Sequence, residues 1–385
     1  MTQPKGERFI LSLRELSGAL GDLGTLLPLV LGMIAVVGLA PVPVLLGFAV
    51  FYVATAFYYR LPIPVQPMKA VAAVLLTAGI TTAGLAASGV LIGVALLVLG
   101  LTGWITRLAR IVPQSVLAGL QLGLGVALAM VSLDLMASAP AIAAVTLGLV
   151  LALMAVPRCP SALIALAAAI VLAQALGVQG MPLATAGAAA FSLPSLPSPA
   201  EMEQALSLFV LPQLSLTLTN AVLLTALIAA DYYGDRAAHV TPARLSVTSG
   251  LANLLLTPFG ALPMCHGAGG LAAHHRFGAR SGTAPLAMGL ALLAAVLLPG
   301  GLGLAVLAAI PAAGLGALLL VASGQLAVTR RLFDSRPSCW PVIAVTAGVT
   351  VWADPFWGLL AGSGAELARI AAIRYLGRGA TSRTP

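Results

Sequence analysis

Charged residues are scarce in this sequence, and their scarcity excludes most soluble folds. Only 8% of the 385 residues are Asp, Glu, Lys or Arg, whereas 60% are hydrophobic. A soluble domain carries roughly 25% charged residues. Continuous apolar runs of about 20 residues, long enough to cross a bilayer as helices, recur along the chain. We therefore predict an all-α polytopic membrane protein with lipid as its surroundings, rather than a barrel of short alternating strands.

Cysteine is equally rare. The three cysteines, Cys159, Cys265 and Cys339, are odd in number and far apart in the chain. This pattern argues against a disulfide framework and against a cysteine-bound metal site, so we expect neither a metal nor a cofactor. The formal charge of +8 does not indicate a nucleic-acid partner, because the basic residues are spread singly along the chain.

Hydropathy divides the chain into fourteen candidate membrane spans. With the N-terminus in the cytoplasm, all but one of the 19 Lys and Arg residues fall on the cytoplasmic side, as the positive-inside rule expects. The exception is Lys69. Both termini are then cytoplasmic, and we expect a bacterial inner or plasma membrane. The predicted spans are 16–38, 41–59, 68–84, 88–106, 113–132, 139–156, 160–178, 207–230, 244–258, 265–275, 283–299, 302–323, 339–352 and 355–376.

The longest polar connection, "FSLPSLPSPAEMEQ" (191–204), leaves seven spans on each side. An odd number of spans per half forces the halves into opposite orientations, which is typical of an inverted repeat. We predict a first repeat over residues 1–190, an extracytoplasmic linker over 191–206 and a second repeat over 207–385. We expect no soluble regulatory domain.

Two Pro-Met motifs, "LPIPVQPMKA" and "FGALPMCHGAGG", open the third span of each half. Proline suits the first turn of a helix and keeps the preceding residue extended. We predict short extended entries followed by half-helices at membrane depth in spans 3 and 10, and two helix N-termini meeting there favour an anion. The alternative is a pair of ordinary loops. The predicted substrate-binding residues of these motifs are Gln66, Met68, Lys69, His266, Gly267, Ala268 and Gly269.

Polar residues inside two other spans add to this prediction. Asp22, with Thr25 on the same helix face, is an ionisable residue within span 1 and hence a functional candidate. Its alternative role is to neutralise Lys69. In span 8, Gln213, Thr217 and Asn220 form one polar stripe that suits a tetrahedral oxyanion, or else makes ordinary interhelical hydrogen bonds.

Other polar residues receive structural interpretations. We expect Gln121 in span 5 to be structural. We expect His274, His275, Arg276 and Arg280 at the cytoplasmic edge, where they contact lipid headgroups.

These motifs also carry a family resemblance. "GALGDLGTLLP", "PVQPMKAVAA", "QLSLTLTNAV" and "CHGAGGLAAHHRFGARSG" resemble, in order and spacing, the molybdate transporter family of plants and algae, a branch related to the sulfate permeases. The resemblance implies a core of spans 1–4 and 8–11 and a gate of spans 5–7 and 12–14. The substrate would lie between half-helices 3 and 10, beside spans 1 and 8. The last hundred residues match only in hydropathy.

The predicted function is secondary active import of molybdate by alternating access of core and gate, with a sulfate or other oxyanion permease as the alternative. A coupling proton, carried by Asp22 or His266, and a homodimer stay open. An enzyme using His266 with Asp22 is disfavoured, because no nucleophile–base pair or metal triad has suitable spacing. A nucleobase carrier of the same fold is disfavoured because such carriers place carboxylates on spans 8 and 10, where this chain has Thr217, Asn220 and His266.

Overall fold

The computed structural model describes residues 9–78, 80–108, 113–156, 159, 161–180 and 196–381 and shows a predominantly helical chain. Residues 191–195 of the predicted linker lie outside this described part. The elements of the first half are α1 (Leu13–Gly21), α2 (Leu23–Val37), α3 (Pro41–Tyr59), β1 (Gln66–Pro67), α4 (Lys69–Ala78), α5 (Thr82–Thr102), α6 (Ile105–Leu108), α7 (Gln114–Ala137), α8 (Pro140–Met154) and α9 (Ser161–Ala175).

The second half begins with one long helical run in which two π-helical segments, Ala205–Val210 and Thr217–Leu224, join three α-helices. The elements of this half are α10 (Pro199–Gln204), α11 (Leu211–Leu216), α12 (Thr225–Tyr233), α13 (Pro242–Leu256), β2 (Met264–Cys265), α14 (Ala268–Phe277), α15 (Thr283–Leu297), α16 (Leu302–Ala308), α17 (Ala312–Ala327), α18 (Arg330–Phe333), α19 (Trp340–Trp352) and α20 (Pro355–Thr381).

Among the described residues, four helical stretches are long and apolar enough to cross a membrane alone. They are Pro41–Tyr59, Thr82–Thr102, Gln114–Ala137 and Pro199–Ala237. The pair α15 and α16, bent by 98°, makes a fifth if it is counted as one span. Several other apolar helices are only 10–17 residues long. The count of fourteen spans therefore stays a prediction.

Several predicted boundaries are wrong. The helix predicted to start at 88 begins at Thr82, and the helix predicted to start at 265 begins at Ala268. The predicted span 302–323 is interrupted, because Pro311 is extended (φ −73°, ψ 143°) and α17 begins only after it. The predicted span 68–84 ends early, since α5 already begins at Thr82, where the Thr81 hydroxyl caps the Gly84 N–H. The first span is divided into α1 and α2 at Asp22, which is the last cap of one helix and the first cap of the other.

The two short strands are buried and pair with each other. They pair antiparallel with Gln66 opposite Cys265 and Pro67 opposite Met264. Asn253 of α13, which is fully buried, holds β2 from the side: its Oδ1 accepts from the Met264 N–H (2.8 Å) and its Nδ2 donates to the Met264 carbonyl (2.6 Å). This clamp fixes the place where α14 begins, and the strand pairing carries α4 to the same point.

Helix packing falls into two groups. In the first group, α3 packs on α15, α5 on α13, α1 on α14 and α4 on α11. In the second group, α7 packs on α17 and α19, α8 on α17 and α9, and α19 on α20. The groups meet where α2 contacts α17 and where α4 contacts α7. Both strands belong to the first group, and their junction faces the second.

Candidate functional site

The starts of α4 and α14 border a small cavity. Its volume is about 40 Å³, whereas one water needs about 10–15 Å³, so the cavity has room for a few waters or for a small ion. Gln121 of α7 and Leu326 of α17 complete its wall from the second helix group. Its polar lining residues are Gln66, Lys69, Gln121, Gln213, Thr217 and His266.

The N-terminus of α14 is open toward this cavity. Its cap residue is Gly267, which has no side chain to bond the first N–H groups, and both Ala268 and Gly269 line the cavity. An uncapped first turn presents N–H donors and the positive end of the helix dipole. Glycine at position 267 lets Oε1 of Gln66 come close to the backbone, since a Cβ there would collide with this oxygen and displace the Gln66 side chain. The geometry therefore favours a negative ligand at this point.

The sequence predicted that α4 and α14 both begin with free N–H groups, but at the N-terminus of α4 a side chain occupies these groups. Oε1 of Gln213 accepts hydrogen bonds from the backbone N–H groups of Ala70 (2.9 Å) and Val71 (3.3 Å). Its Nε2 donates to the Thr217 hydroxyl at 2.8 Å. Gln213 thus caps α4 rather than offering both of its polar atoms to a ligand. Only α14 keeps an open first turn.

Lys69, the first residue of α4, places its ammonium beside the open turn of α14. A Cβ built on Gly269 would lie 4.0 Å from Nζ. Within the described part of the chain, no ion pair within 4.0 Å joins Nζ to Asp22, although the two charges interact electrostatically, so the neutralisation of Lys69 by Asp22 stays an alternative. Lys69 borders this cavity and also two larger cavities of about 850 and 380 Å³. Its positive charge is therefore available to a ligand.

Asp22 lies behind the cavity wall rather than in it. The carboxylate is fully buried and accepts from the Tyr52 hydroxyl (Oδ2, 3.1 Å) and from Nε2 of Gln66 (Oδ1, 2.5 Å). Gln66 stands between Asp22 and the cavity, which it lines. A Cβ on Gly270 would come within 2.7 Å of Asp22 Oδ1 and 2.6 Å of Gln66 Nε2, so α14 packs directly on this pair.

The ring of His266 is held by the protein on both sides. Nδ1 lies 2.9 Å from the Pro64 carbonyl and Nε2 lies 2.8 Å from the Thr248 hydroxyl. A carbonyl only accepts, so Nδ1 carries the hydrogen and Nε2 accepts from the hydroxyl when the ring is neutral. His266 therefore ties the extended entry of α4 to α13, and neither ring nitrogen is left for a substrate.

Three other predicted residues do not contribute to the described cavity: one does not line it, and the side chains of two lie outside the described part of the chain. Met68 is fully buried in the apolar core and does not line the cavity. The side chains of Thr25 and Asn220 lie outside the described part. Within that part, no three His, Cys, Asp or Glu side chains cluster as metal ligands would.

His274 is the residue that the sequence interpretation misplaced. It is fully buried instead of contacting lipid headgroups, with Nδ1 2.9 Å from the Gly18 carbonyl and Nε2 3.8 Å from Asp22 Oδ2. The signal was its spacing: His274 lies four residues after Gly270 and so shares the helix face that packs on Asp22. Gln121 was likewise undervalued, since it lines the cavity from α7.

A wide vestibule leads away from the cavity. It measures about 850 Å³ and has Lys69 and Gly269 at one end and Arg331, Arg336 and Arg369 at the other. The sequence analysis predicts these three arginines on the cytoplasmic side. Asp334 and Glu366 also line the vestibule, and Glu366 pairs with Arg369, so four cations and two carboxylates leave a net charge of +2 that favours anions.

Comparison with known proteins identifies the family. Residues 14–128 and 205–326, more than half of the chain, match the family described as "Molybdate transporter of MFS superfamily". The chain is 30% identical to Molybdate transporter 2 of Arabidopsis thaliana, over 88% of this chain and 82% of that protein. It is 27% identical to Molybdate transporter 1 of Chlamydomonas reinhardtii, over 86% and 87% of the two chains.

The fold has solved counterparts. The transmembrane domain of a cyanobacterial bicarbonate transporter, BicA, matches with a TM-score of 0.65 at 18% identity, over 91% of this chain and 96% of that one. The murine Solute Carrier 26 family member A9 anion transporter, in an inward-facing state, matches with a TM-score of 0.70 at 16% identity, over 96% and 69%. At these identities the likeness shows the fold alone. The apolar helices together with the family match make this chain an integral membrane protein. The resemblance of the sequence motifs is confirmed by the family match: the chain belongs to the molybdate transporter family.

Proposed function

We propose that this protein is a secondary active transporter that imports molybdate. The observation that carries the proposal is the position of the Lys69 ammonium beside the uncapped first turn of α14. The helix end supplies roughly half an elementary charge and Lys69 supplies a full one, against a ligand of charge −2. Neutral donors complete the site: Thr217 and Gln121 line the same cavity from two different helices.

We also propose that the two halves form an inverted repeat with a core and a gate. Pairs of contacting helices recur in the two halves, which supports this proposal. The contact of α8 with α9 corresponds to that of α19 with α20, and the contact of α3 with α15 corresponds to that of α13 with α5. The ten-residue helices α4 and α14 are about 15 Å long, half of a bilayer core of about 30 Å. The first packing group would be the core and the second the gate.

The proposed topology has fourteen spans with both termini in the cytoplasm. The vestibule with Arg331, Arg336 and Arg369 then opens inward, so this conformation would release molybdate to the cytoplasm. The alternating-access cycle would close this vestibule and open the opposite side by moving the core against the gate. A homodimer and a coupling proton also belong to the proposal.

A sulfate or other oxyanion permease is the alternative. Relatives of the same fold include a bicarbonate transporter and an anion transporter, so the architecture itself does not select molybdate. Selection must come from how many hydrogen bonds the site offers to a tetrahedral dianion of given size.

Uptake of molybdate into proteoliposomes, measured as molybdenum by mass spectrometry, tests the proposal. We expect the wild type to show saturable uptake. We expect Lys69→Met to stay folded but to bind molybdate roughly 10- to 100-fold more weakly. Arg374→Gln, which removes a charge from the exposed end of α20, is the matched control. Uptake of sulfate in preference to molybdate would favour the alternative. Wild-type uptake by the double variant Lys69→Met with Asp22→Asn would overturn the role of Lys69.

A further inference from the structure

Among the buried side-chain nitrogens in the described part of the chain, Nε2 of His274 is the one without a hydrogen-bond partner. The Gly18 carbonyl at 2.9 Å can only accept, so Nδ1 carries the hydrogen of the neutral ring. Nε2 is then a bare lone pair, and it faces Oδ2 of Asp22 at 3.8 Å. Two acceptors face each other in a fully buried place, which is an unfavourable arrangement that a single proton between them corrects.

We propose that Asp22 and His274 together bind one proton and that this is the coupling proton of transport. The step is a simple protonation: a proton from solution forms an N–H bond with Nε2, which then donates to Oδ2. The net charge of the pair changes from −1 to 0. The proton site follows from the geometry alone, whereas its coupling to molybdate rests on the proposed function.

Gln66 connects the pair to the cavity. Its Nε2 donates to Asp22 Oδ1 at 2.5 Å, and its Oε1 lies against Gly267 at the open end of α14. A negative charge on the unprotonated pair repels a dianion in the cavity through this short connection, and protonation removes the repulsion. Because linkage is reciprocal, molybdate binding must then draw a proton onto the pair. Both enter together, which is symport.

Two neighbouring titratable residues, His275 and Glu15, are held in contacts of their own. His275 points away and stacks on Tyr232 with ring centroids 3.9 Å apart, and Glu15 accepts from the backbone N–H groups of Arg280 (2.8 Å) and Ser281 (3.4 Å). The titratable or charged side chains near the pair are Tyr52 of α3, Lys69 of α4, Arg14 and Glu15 of α1, Arg280 and His275 after or on α14, and Tyr232 and Tyr233 of α12.

Proton uptake on molybdate binding tests the coupling. The purified full chain is mixed with molybdate at neutral pH in weak buffer containing a pH indicator, and bound molybdate is counted separately. We expect the wild type to take up a fraction of a proton, rising toward one per molybdate as pH increases. His274→Asn, whose amide can still donate to Gly18, should bind molybdate more weakly and without proton uptake, because the Asp22 charge then stays uncompensated. His239→Asn, at a partly exposed histidine bonded to the Tyr59 carbonyl, is the matched control and should behave as wild type.

Two outcomes would overturn the inference while leaving molybdate transport intact. One is normal molybdate binding by the wild type with no proton exchange, and the other is undiminished proton uptake by His274→Asn. If that variant does not fold, nitrogen NMR of the wild type decides, because the chain has only four histidines. We expect one buried histidine to become doubly protonated as the pH falls, and to lose this transition in Asp22→Asn. Its persistence in Asp22→Asn would overturn the shared proton site, and failure of the wild type to bind molybdate would overturn only the proposed function.

Discussion

Oε1 of Gln213 lies 2.9 Å from the backbone nitrogen of Ala70, so the start of α4 is capped by a side chain from another helix. A helix normally takes its cap from a Ser, Thr, Asp or Asn just before its first turn. Here that position is Met68, which cannot accept a hydrogen bond in this way and lies buried in the core. The helix that carries Lys69 is therefore fixed by α11, a helix from the other half of the chain.

We expect Gln213→Leu to lower the stability of the protein by about 1–2 kcal/mol, because two buried N–H groups of α4 lose their acceptor. Molybdate binding should weaken with it, since Lys69 loses its fixed position. Thermal unfolding in detergent measures the first effect and equilibrium binding the second. Gln174→Leu, at an exposed glutamine of α9, is the control. Equal melting temperatures of the two variants would contradict the capping role.

Gly270→Ala should disturb the site by contact alone. The added methyl group would lie 2.7 Å from Asp22 Oδ1 and 2.6 Å from Gln66 Nε2, and overpacking of this kind costs about 1–3 kcal/mol. We expect weaker molybdate binding and a lower melting temperature. Gly148→Ala in α8 is matched, because nothing lies within 4 Å of its added Cβ. That control should be neutral or stabilising, as Ala is the better helix former. A harmless Gly270→Ala would show that α14 does not press on this pair.

Asn253→Leu should destabilise the strand junction. It leaves the N–H and the carbonyl of buried Met264 without their partners, and each unsatisfied group costs about 1–3 kcal/mol. We expect a lower melting temperature together with weaker molybdate binding, because β2 sets the start of α14. Ser138→Ala, which removes an exposed hydroxyl bonded only to the Leu135 carbonyl, serves as the control. If Asn253→Leu lost stability but bound molybdate normally, the contacts of Asn253 with Met264 would not position the binding site.

The topology can be tested with single cysteines. In a variant with Cys159, Cys265 and Cys339 replaced by serine, Ser198→Cys should react with an impermeant thiol reagent on intact cells. Ser335→Cys, on the arginine-rich vestibule side, should react only after permeabilisation. Ser198 is exposed and Ser335 partly exposed, so both positions can be reached from their own side. Labelling of both from outside would contradict the proposed orientation and the count of fourteen spans.

Much of the site could be predicted because proline acts locally. Pro67 and Pro263 interrupt helices wherever they occur in the chain, since a proline lacks the N–H group and restricts the residue before it. The extended entries and the helices after them follow from this local effect, although the second helix begins only at Ala268, because Met264–Cys265 pairs with the first strand instead of starting the helix. Lys69 was identifiable for a different reason: it is the one basic residue whose position the positive-inside rule leaves unexplained.

The roles of Gln213, His266 and His274 could not be predicted, because each depends on a partner far away in the chain. Sequence patterns made Gln213 and His266 ligand donors and His274 a headgroup contact. In the structure, Gln213 caps α4, His266 bonds Pro64 and Thr248, and His274 faces Asp22. Hydropathy and proline placement determined which segments are helical and apolar. Only tertiary packing decided which polar atoms meet a ligand, because a buried donor or acceptor takes whichever partner the neighbouring helix brings within about 3 Å.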